Sequence, residues 1–329
     1  MSSGILGESA ELSAGRTTAA TEWKKDCGEE EEGGGAGKGG LDAHRPRCNR
    51  TMDGTSQHRP AHQTKSEQIL KYSAYSLHQS DDGATNGTTL WLGGQILSAY
   101  LPTLKRRPGK AIELGSGIGL STCDTLSPSA LSALLTHPRI TLASLGWDVV
   151  ATDLPNVIDS VLAQNVSANA HLVAGSMHVR ELDWTVEPEH WSWTDAKSVS
   201  SPSPPEGPPT EDTLGPPFDL IVTSDTVYIP QLAQPLLRTI HALASLSSAG
   251  GKSPLILLCF ERRDPLLIDR VLNDARQLWG FKPERVPHKK LTQAMDKAGL
   301  KWDRGDWDGV ELWKLKPAKP LRLGHEQNT

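Results

Sequence analysis

Gly115, Gly117 and Gly119 alternate directly after the apolar run Ala111-Ile112-Glu113-Leu114, with Ser116 and Ile118 between them. Glycines at every second position let a chain turn tightly after a strand and approach a ligand where a Cβ would clash. Glu113, just ahead of the first glycine, narrows the ligand. A carboxylate there suits a cationic or amine-bearing molecule and repels a pyrophosphate, which prefers bare helix-terminus N–H groups. A glutamate on a surface turn is the plainer alternative.

Further groups recur where strands should end. Asp153 closes Val149-Val150-Ala151-Thr152, where an acid beside a glycine loop can accept both ribose hydroxyls. The usual gap between the two is about 20 residues. Here it is longer, and the Pro-interrupted stretch 121–147 accounts for the excess. Asp153 is equally suited to cap a helix opening at Leu154-Pro155.

Leu182-Asp183-Trp184 follows a third strand expected near Leu172-Val173-Ala174. Asp183 offers an acceptor and Trp184 a flat face, the two things an adenine needs. With Trp191 and Trp193 close by, a plain aromatic cluster is the rival reading. Ser224-Asp225-Thr226-Val227-Tyr228 follows the apolar run 218–223 and would stand at the ligand crevice of a parallel sheet. Asp225 and Tyr228 make a polar pair there, unless Asp225 only caps the helix starting at Gln231. Trp91, in Thr88-Thr89-Leu90-Trp91-Leu92-Gly93-Gly94, either covers the cofactor or joins the core. Glu261-Arg262-Arg263-Asp264 closes a fifth apolar run and either binds substrate or pairs internally. S-adenosylmethionine, which carries a sulfonium and an ammonium, satisfies these demands; a nicotinamide dinucleotide meets Glu113 badly.

The elements that must hold these groups follow from periodicity. Strands are expected at 111–114, 148–152, 218–223 and 255–260. Helical spacing appears over 89–104, ending near Tyr100 ahead of Pro102, and again over 231–246 and 265–279. Alternating strands and helices predict an α/β, doubly wound, Rossmann-like and mostly parallel sheet covered on both faces. Two late strands, 281–288 and 310–316, flank a short helix at 291–300 and add an antiparallel strand at the sheet edge.

Composition sets the outer limits. The 329 residues carry a net charge of −5, so no global charge argues for nucleic acid. No apolar run approaches the ~20 residues that span a bilayer. Residues 1–65 are poor in apolar side chains and hold the acidic run 29–32 and a glycine-rich stretch, so they are expected to be disordered, as are residues 318–329. The folded domain is expected over 66–317, with surface insertions near 121–147 and 198–217, the latter a Pro/Ser-rich loop unsuited to packing. Cys27, Cys48, Cys123 and Cys259 show no paired spacing, which fits reduced thiols in a cytoplasmic protein and no metal site.

Trp91-Leu92-Gly93-Gly94, the Glu113–Gly119 loop, Thr152-Asp153-Leu154-Pro155, Leu182-Asp183-Trp184 and Ser224-Asp225-Thr226-Val227-Tyr228 occur in that order. The ensemble resembles the family-16 seven-strand protein methyltransferases over about residues 66–316. The Asp225–Pro230 stretch and Phe260-Glu261-Arg262-Arg263 look most like the fungal lysine methyltransferases of translation elongation factor 1-alpha. A monomer without nucleic-acid or membrane partners is expected. The resemblance implies a class I, seven-strand, S-adenosylmethionine-dependent fold and a protein-lysine N-methyltransferase acting on a protein substrate. It implies that Trp91, Gly115, Ser116, Gly117, Asp153, Trp184 and Ser224 line the cofactor pocket, and that Asp225 and Tyr228 stand at the methyl-transfer site. A methyltransferase for a small amine, histidine or protein N-terminus is the alternative, followed by a non-catalytic interaction module.

Overall fold

A parallel strand covered on both faces needs an almost unbroken apolar run, and the central strands of this chain have one. The computed structural model describes residues 69–72, 75–80, 86–121, 142–200, 213–248 and 252–317. These lie in one compact unit, Gly54–Thr329. The expected tails at 1–65 and 318–329, most of 121–147 and the centre of 198–217 lie outside the described residues.

A hairpin of β1 (Ile69–Tyr72) and β2 (Tyr75–His78) comes first, followed by helix α1 (Leu92–Tyr100). The main sheet contains β3 (Lys110–Leu114), β4 (Asp148–Asp153), β5 (Met177–Glu181), β6 (Leu220–Ser224), β7 (Leu255–Glu261), β8 (Phe281–Arg285) and β9 (Val310–Pro317). Its order is β5-β4-β3-β6-β7-β9-β8. Pairing is parallel from β5 through β7, and β9 runs antiparallel to both β7 and β8. This is the doubly wound class I methyltransferase arrangement. The antiparallel addition expected at the edge is the β8–β9 pair, with β9 inserted one place inside the edge strand β8.

Alternation sends successive side chains of the sheet to opposite faces. Ala111, Val149, Leu220, Val222, Leu257 and Leu312 meet α1 and helix α6 (His288–Lys297) through Ile96, Leu97, Leu291 and Met295. Ile112, Leu114, Val150, Ile221, Ile256 and Leu258 meet α4 (Pro230–Ser247) and α5 (Pro265–Gln277) through Leu236, Leu237, Ile240, Ile268 and Val271. Burying one such aliphatic side chain contributes about 1.5–3 kcal/mol. A third cluster joins Leu77, Leu90, Ile118 and Ala151 to the helical segment after β4. That segment is α2 (Pro155–Val157), a π turn at Ile158–Leu162 and α3 (Ala163–Asn169).

Two expectations need correction. The third strand is Met177–Glu181, not 172–174. Ala170–Leu172 closes the preceding helix as a 3-10 turn, and the strand itself is polar because Met177, His178, Val179 and Glu181 are only half-buried. The flanks of the Pro/Ser-rich loop do pack. Ser198 bridges Glu181 in parallel, Val199 is fully buried, and the Leu214 and Trp193 carbonyls accept from the buried guanidinium of Arg180 at 3.0 and 3.1 Å.

Candidate active site

The carboxyl ends of β4, β3, β6 and β7 lie side by side in the sheet, and the expected functional groups follow them. After β3 the chain turns through Gly115, Gly117 and Gly119, all in the left-handed region at φ 65, 55 and 80°. A Cβ on Gly115 would fall 2.7 Å from Thr226 Cγ2 and 3.3 Å from the Trp184 ring. One on Gly117 would sit 3.0 Å from the Gly87 carbonyl. These glycines therefore admit neighbouring parts of the chain as well as turning the loop. Ser116 locks it: its amide donates to the Thr152 carbonyl at 2.9 Å, and its Oγ accepts from the Thr152 amide at 3.1 Å.

Asp153 finishes β4 with one carboxylate oxygen accepting the Gly117 amide and the other the Leu154 amide, each at 2.8 Å. Burial pushes its pKa up to about 6 against those two hydrogen bonds. Glu113 is buried within β3, in register with Ala151 and Val222, on the sheet face that carries α1 rather than on a surface turn.

Trp184 lies against Gly115, and its indole Nε1 is buried without a hydrogen-bond partner. Arg238 of α4 fixes its backbone by donating to the Trp184 carbonyl at 2.8 Å while pairing with Glu187. Asp183, expected to meet an adenine, also holds its own turn. Its Oδ1 accepts from the Thr185 amide and hydroxyl at 2.8 and 2.7 Å, closing its own turn. Trp191 and Trp193 form an edge-to-face pair, and Trp193 packs on Phe218, so these two do make an aromatic cluster.

Asp225 is the one described non-glycine residue with positive φ, at 54°. Its Oδ2 accepts the Gly94 amide at 3.0 Å and its Oδ1 the Glu261 amide at 3.4 Å. Both oxygens stand 2.6 Å from where a Gly93 Cβ would be. α1 has Trp91 as N-cap with no side-chain cap of its own, so Asp225 supplies the acceptor from the end of β6. It does not cap α4, whose N-cap is Ile229. Burial raises its pKa to about 6. Ser224 Oγ lies 3.4 Å from the position of a Gly94 Cβ, beside the same helix start.

Tyr228 is 44% exposed, yet burial and the neighbouring Asp153 carboxylate both raise the pKa of its phenol. β3 separates β4 from β6, and Asp153 at the end of β4 is near enough to act on the phenol of Tyr228, which follows β6. Trp91 donates its indole N–H to the Asn86 carbonyl at 2.6 Å, and the Arg263 guanidinium lies 4.6 Å from its ring centroid.

The four charged residues after β7 separate by role. Arg262 pairs in two-pronged fashion with the buried Glu311 at 3.0 and 3.2 Å and also reaches Asp269. Asp264 caps α5 through the Leu267 amide at 3.0 Å. Arg263 pairs with Glu261 at the cleft.

Sequence reasoning missed Asn165, which is fully buried and spans two layers. Its Oδ1 accepts from the His78 amide at 2.7 Å, and its Nδ2 donates to the His78 and Ile118 carbonyls, each at 2.9 Å. It ties the leading hairpin to the glycine loop. Among the described residues no group of three or more His, Cys, Asp or Glu could hold a metal, and no helix is long and apolar enough to cross a membrane.

Residues 73–196 match the model of the lysine methyltransferase family. The chain is 30% identical over 149 residues to the protein-lysine N-methyltransferase rrg1 of Schizosaccharomyces pombe, a match covering 44% of this chain. The alignment spans 38% of that relative's length. Among solved structures, the Thermus thermophilus 16S rRNA N2 G1207 methyltransferase in complex with AdoMet and guanosine is 11% identical, covering 76% of this chain and 44% of that one, with a TM-score of 0.38. A Pyrococcus furiosus methyltransferase is 14% identical over 73% of this chain and 88% of that one, again at 0.38.

The residues present fit S-adenosylmethionine as a cofactor. Asp153 brings a carboxylate to the glycine loop, where ribose hydroxyls can donate to it. The unpartnered Trp184 Nε1 is a buried donor beside the same loop, of the kind a heterocyclic ligand satisfies.

Proposed function

We propose that this protein is an S-adenosylmethionine-dependent protein-lysine N-methyltransferase, with translation elongation factor 1-alpha as its acceptor. The observation that carries the reading is the row of groups at the carboxyl ends of four adjacent strands. Asp153 and the glycine loop stand on one side, and Asp225, Glu261 and Trp91 on the other, with Tyr228 near enough to Asp153 to feel its charge. The family match over 73–196 supports methylation of lysine. Support for elongation factor 1-alpha comes from the likeness of the Asp225–Pro230 and Phe260–Arg263 stretches to its fungal methyltransferases. A cytoplasmic location belongs to the same proposal, on the unpaired spacing of the cysteines, and so does a monomeric state.

Bound at the glycine loop, the cofactor supplies an activated methyl on a sulfonium, which a neutral lysine Nζ accepts with release of the thioether and one proton. This chain's residues must then position the acceptor and exclude water. A free lysine has a pKa near 10.4 and arrives protonated. Glu261 and Asp225 give the cleft the negative charge that receives an ammonium, and Asp225 also fixes the start of α1 that carries Trp91. Tyr228, half-exposed at the mouth, covers the reacting groups from solvent.

The test is incubation of the protein with methyl-labelled S-adenosylmethionine and a fungal lysate, followed by identification of the labelled species. Label on a lysine of elongation factor 1-alpha is the expected outcome. Label on another protein's lysine removes the acceptor but keeps the reaction, and label on a small amine, a histidine or an N-terminus overturns lysine specificity.

A further inference from the structure

Two neighbouring arginines end β7, and their surroundings differ. Arg262 is clamped by both oxygens of Glu311, which Arg285 and the Trp313 indole also reach at 3.0 and 2.9 Å. Its side chain is 25% exposed. The Arg263 side chain is 54% exposed and touches one carboxylate oxygen, Glu261 Oε2, through Nε at 2.8 Å. Its guanidinium otherwise rests on the face of Trp91. An aromatic face and a carboxylate together make a seat for a cation. This seat adjoins Asp225, since the Glu261 amide donates to the Asp225 carboxylate. Trp91 is held edge-on by its bond to Asn86, so the ring stays in place when its cover leaves.

We propose that Arg263 is a resident stand-in for the acceptor's ammonium, occupying the seat formed by the Trp91 ring and Glu261 until a substrate cation displaces it. The inference rests on the protein-lysine reading and names the place where that reading's acceptor lodges. Exposed ion pairs and exposed cation–π contacts are both weak, so a guanidinium so held leaves readily. Their combined loss corresponds to about a tenfold change in apparent affinity for a competing cation. While seated, Arg263 keeps the cleft neutralised and discourages adventitious cations. An acceptor whose lysine is presented by a docked protein overcomes that barrier through its other contacts, whereas a free amine lacks them.

The probe is n-butylammonium, the ammonium and methylenes of a lysine side chain, titrated into the full chain and followed by the Trp91 indole N–H signal, assigned with Trp91→Phe. Arg263→Gln is expected to tighten binding about tenfold over the starting protein, and Arg263→Lys, which keeps a cation over the ring, to leave it unchanged. Adding Glu261→Gln to Arg263→Gln is expected to reverse the gain. Equal or weaker binding by Arg263→Gln, or a gain indifferent to Glu261→Gln, overturns the proposal. A parallel methyl-transfer assay separates it from the reading beneath it. Tightened n-butylammonium binding without transfer to any lysine leaves the seat standing and sinks the reading. Transfer with an acceptor KM unaltered by Arg263→Gln leaves the reading standing and sinks the seat.

Discussion

The Asp225 carboxylate accepts the amide of Gly94 at 3.0 Å across 131 residues of sequence. One contact thereby anchors the start of α1 to the carboxyl ends of β6 and β7, and places Trp91 at the cleft. Gly93 and Gly94 are what allow it, because a Cβ on Gly93 would meet both carboxylate oxygens.

Asp225→Ala should therefore lower stability by about 1–2 kcal/mol, the range for a lost helix cap, with cofactor affinity little changed. Methyl transfer should fall on the order of 100-fold, the cost of a misplaced reacting geometry. Denaturant titration, calorimetry and single-turnover kinetics read the three quantities separately. Asp225→Asn, which keeps an acceptor for Gly94, should recover most of the stability.

The same carboxylate makes stability depend on pH. Its folded pKa of about 6 lies above the ordinary 3.8, so the folded protein holds this proton more tightly than the unfolded chain. Its contribution is fully present below pH ~4, declines as pH rises through about 6 and is level above. Melting curves of the starting protein and Asp225→Asn between pH 4 and 8 should diverge in that sense.

Cofactor affinity should follow Asp153. Its pKa of about 6 leaves it protonated in mild acid, when it is a poorer acceptor for ribose hydroxyls. Calorimetric affinity for S-adenosylmethionine should rise as pH goes from 5 to 7, and Asp153→Asn should flatten the profile. At pH 7.5 that variant should bind more weakly by roughly 1.5–3 kcal/mol, the range for hydrogen bonds to a charged group.

Gly117→Val should abolish cofactor binding. The residue sits at φ 55°, which a β-branched side chain resists, and its Cβ would stand 3.0 Å from the Gly87 carbonyl. Far-ultraviolet circular dichroism should still report a folded sheet, since the strain is confined to the loop.

The central strands and the helices between them were legible in the sequence because buried parallel strands and amphipathic helices write their periodicity locally, whereas the strand order was not. Pro102 marked the end of α1 at Tyr100, and Pro230 and Pro265 stand at the first helical positions of α4 and α5. β5 was misplaced because its half-buried residues lack that apolar signal. The partners of Asp225, Asn165 and Glu311 were hidden for another reason. Each joins segments far apart in the chain, and no local pattern encodes such a contact. The paired glycines at the start of α1 were the one available hint that something must approach it closely. Arg262 and Arg263 could not be told apart until Glu311 and Trp91 were seen beside them.

The most direct measurement is single-turnover transfer from S-adenosylmethionine carrying a deuterated methyl to purified elongation factor 1-alpha, at saturating cofactor, with modified residues located by mass spectrometry. The predicted result is a deuterated methyl on one lysine Nζ, lost with Gly117→Val and strongly slowed with Asp225→Ala. An acceptor left unlabelled would contradict the elongation-factor assignment. Failure of the folded protein to bind S-adenosylmethionine or label any lysine in a whole lysate would contradict the enzyme itself.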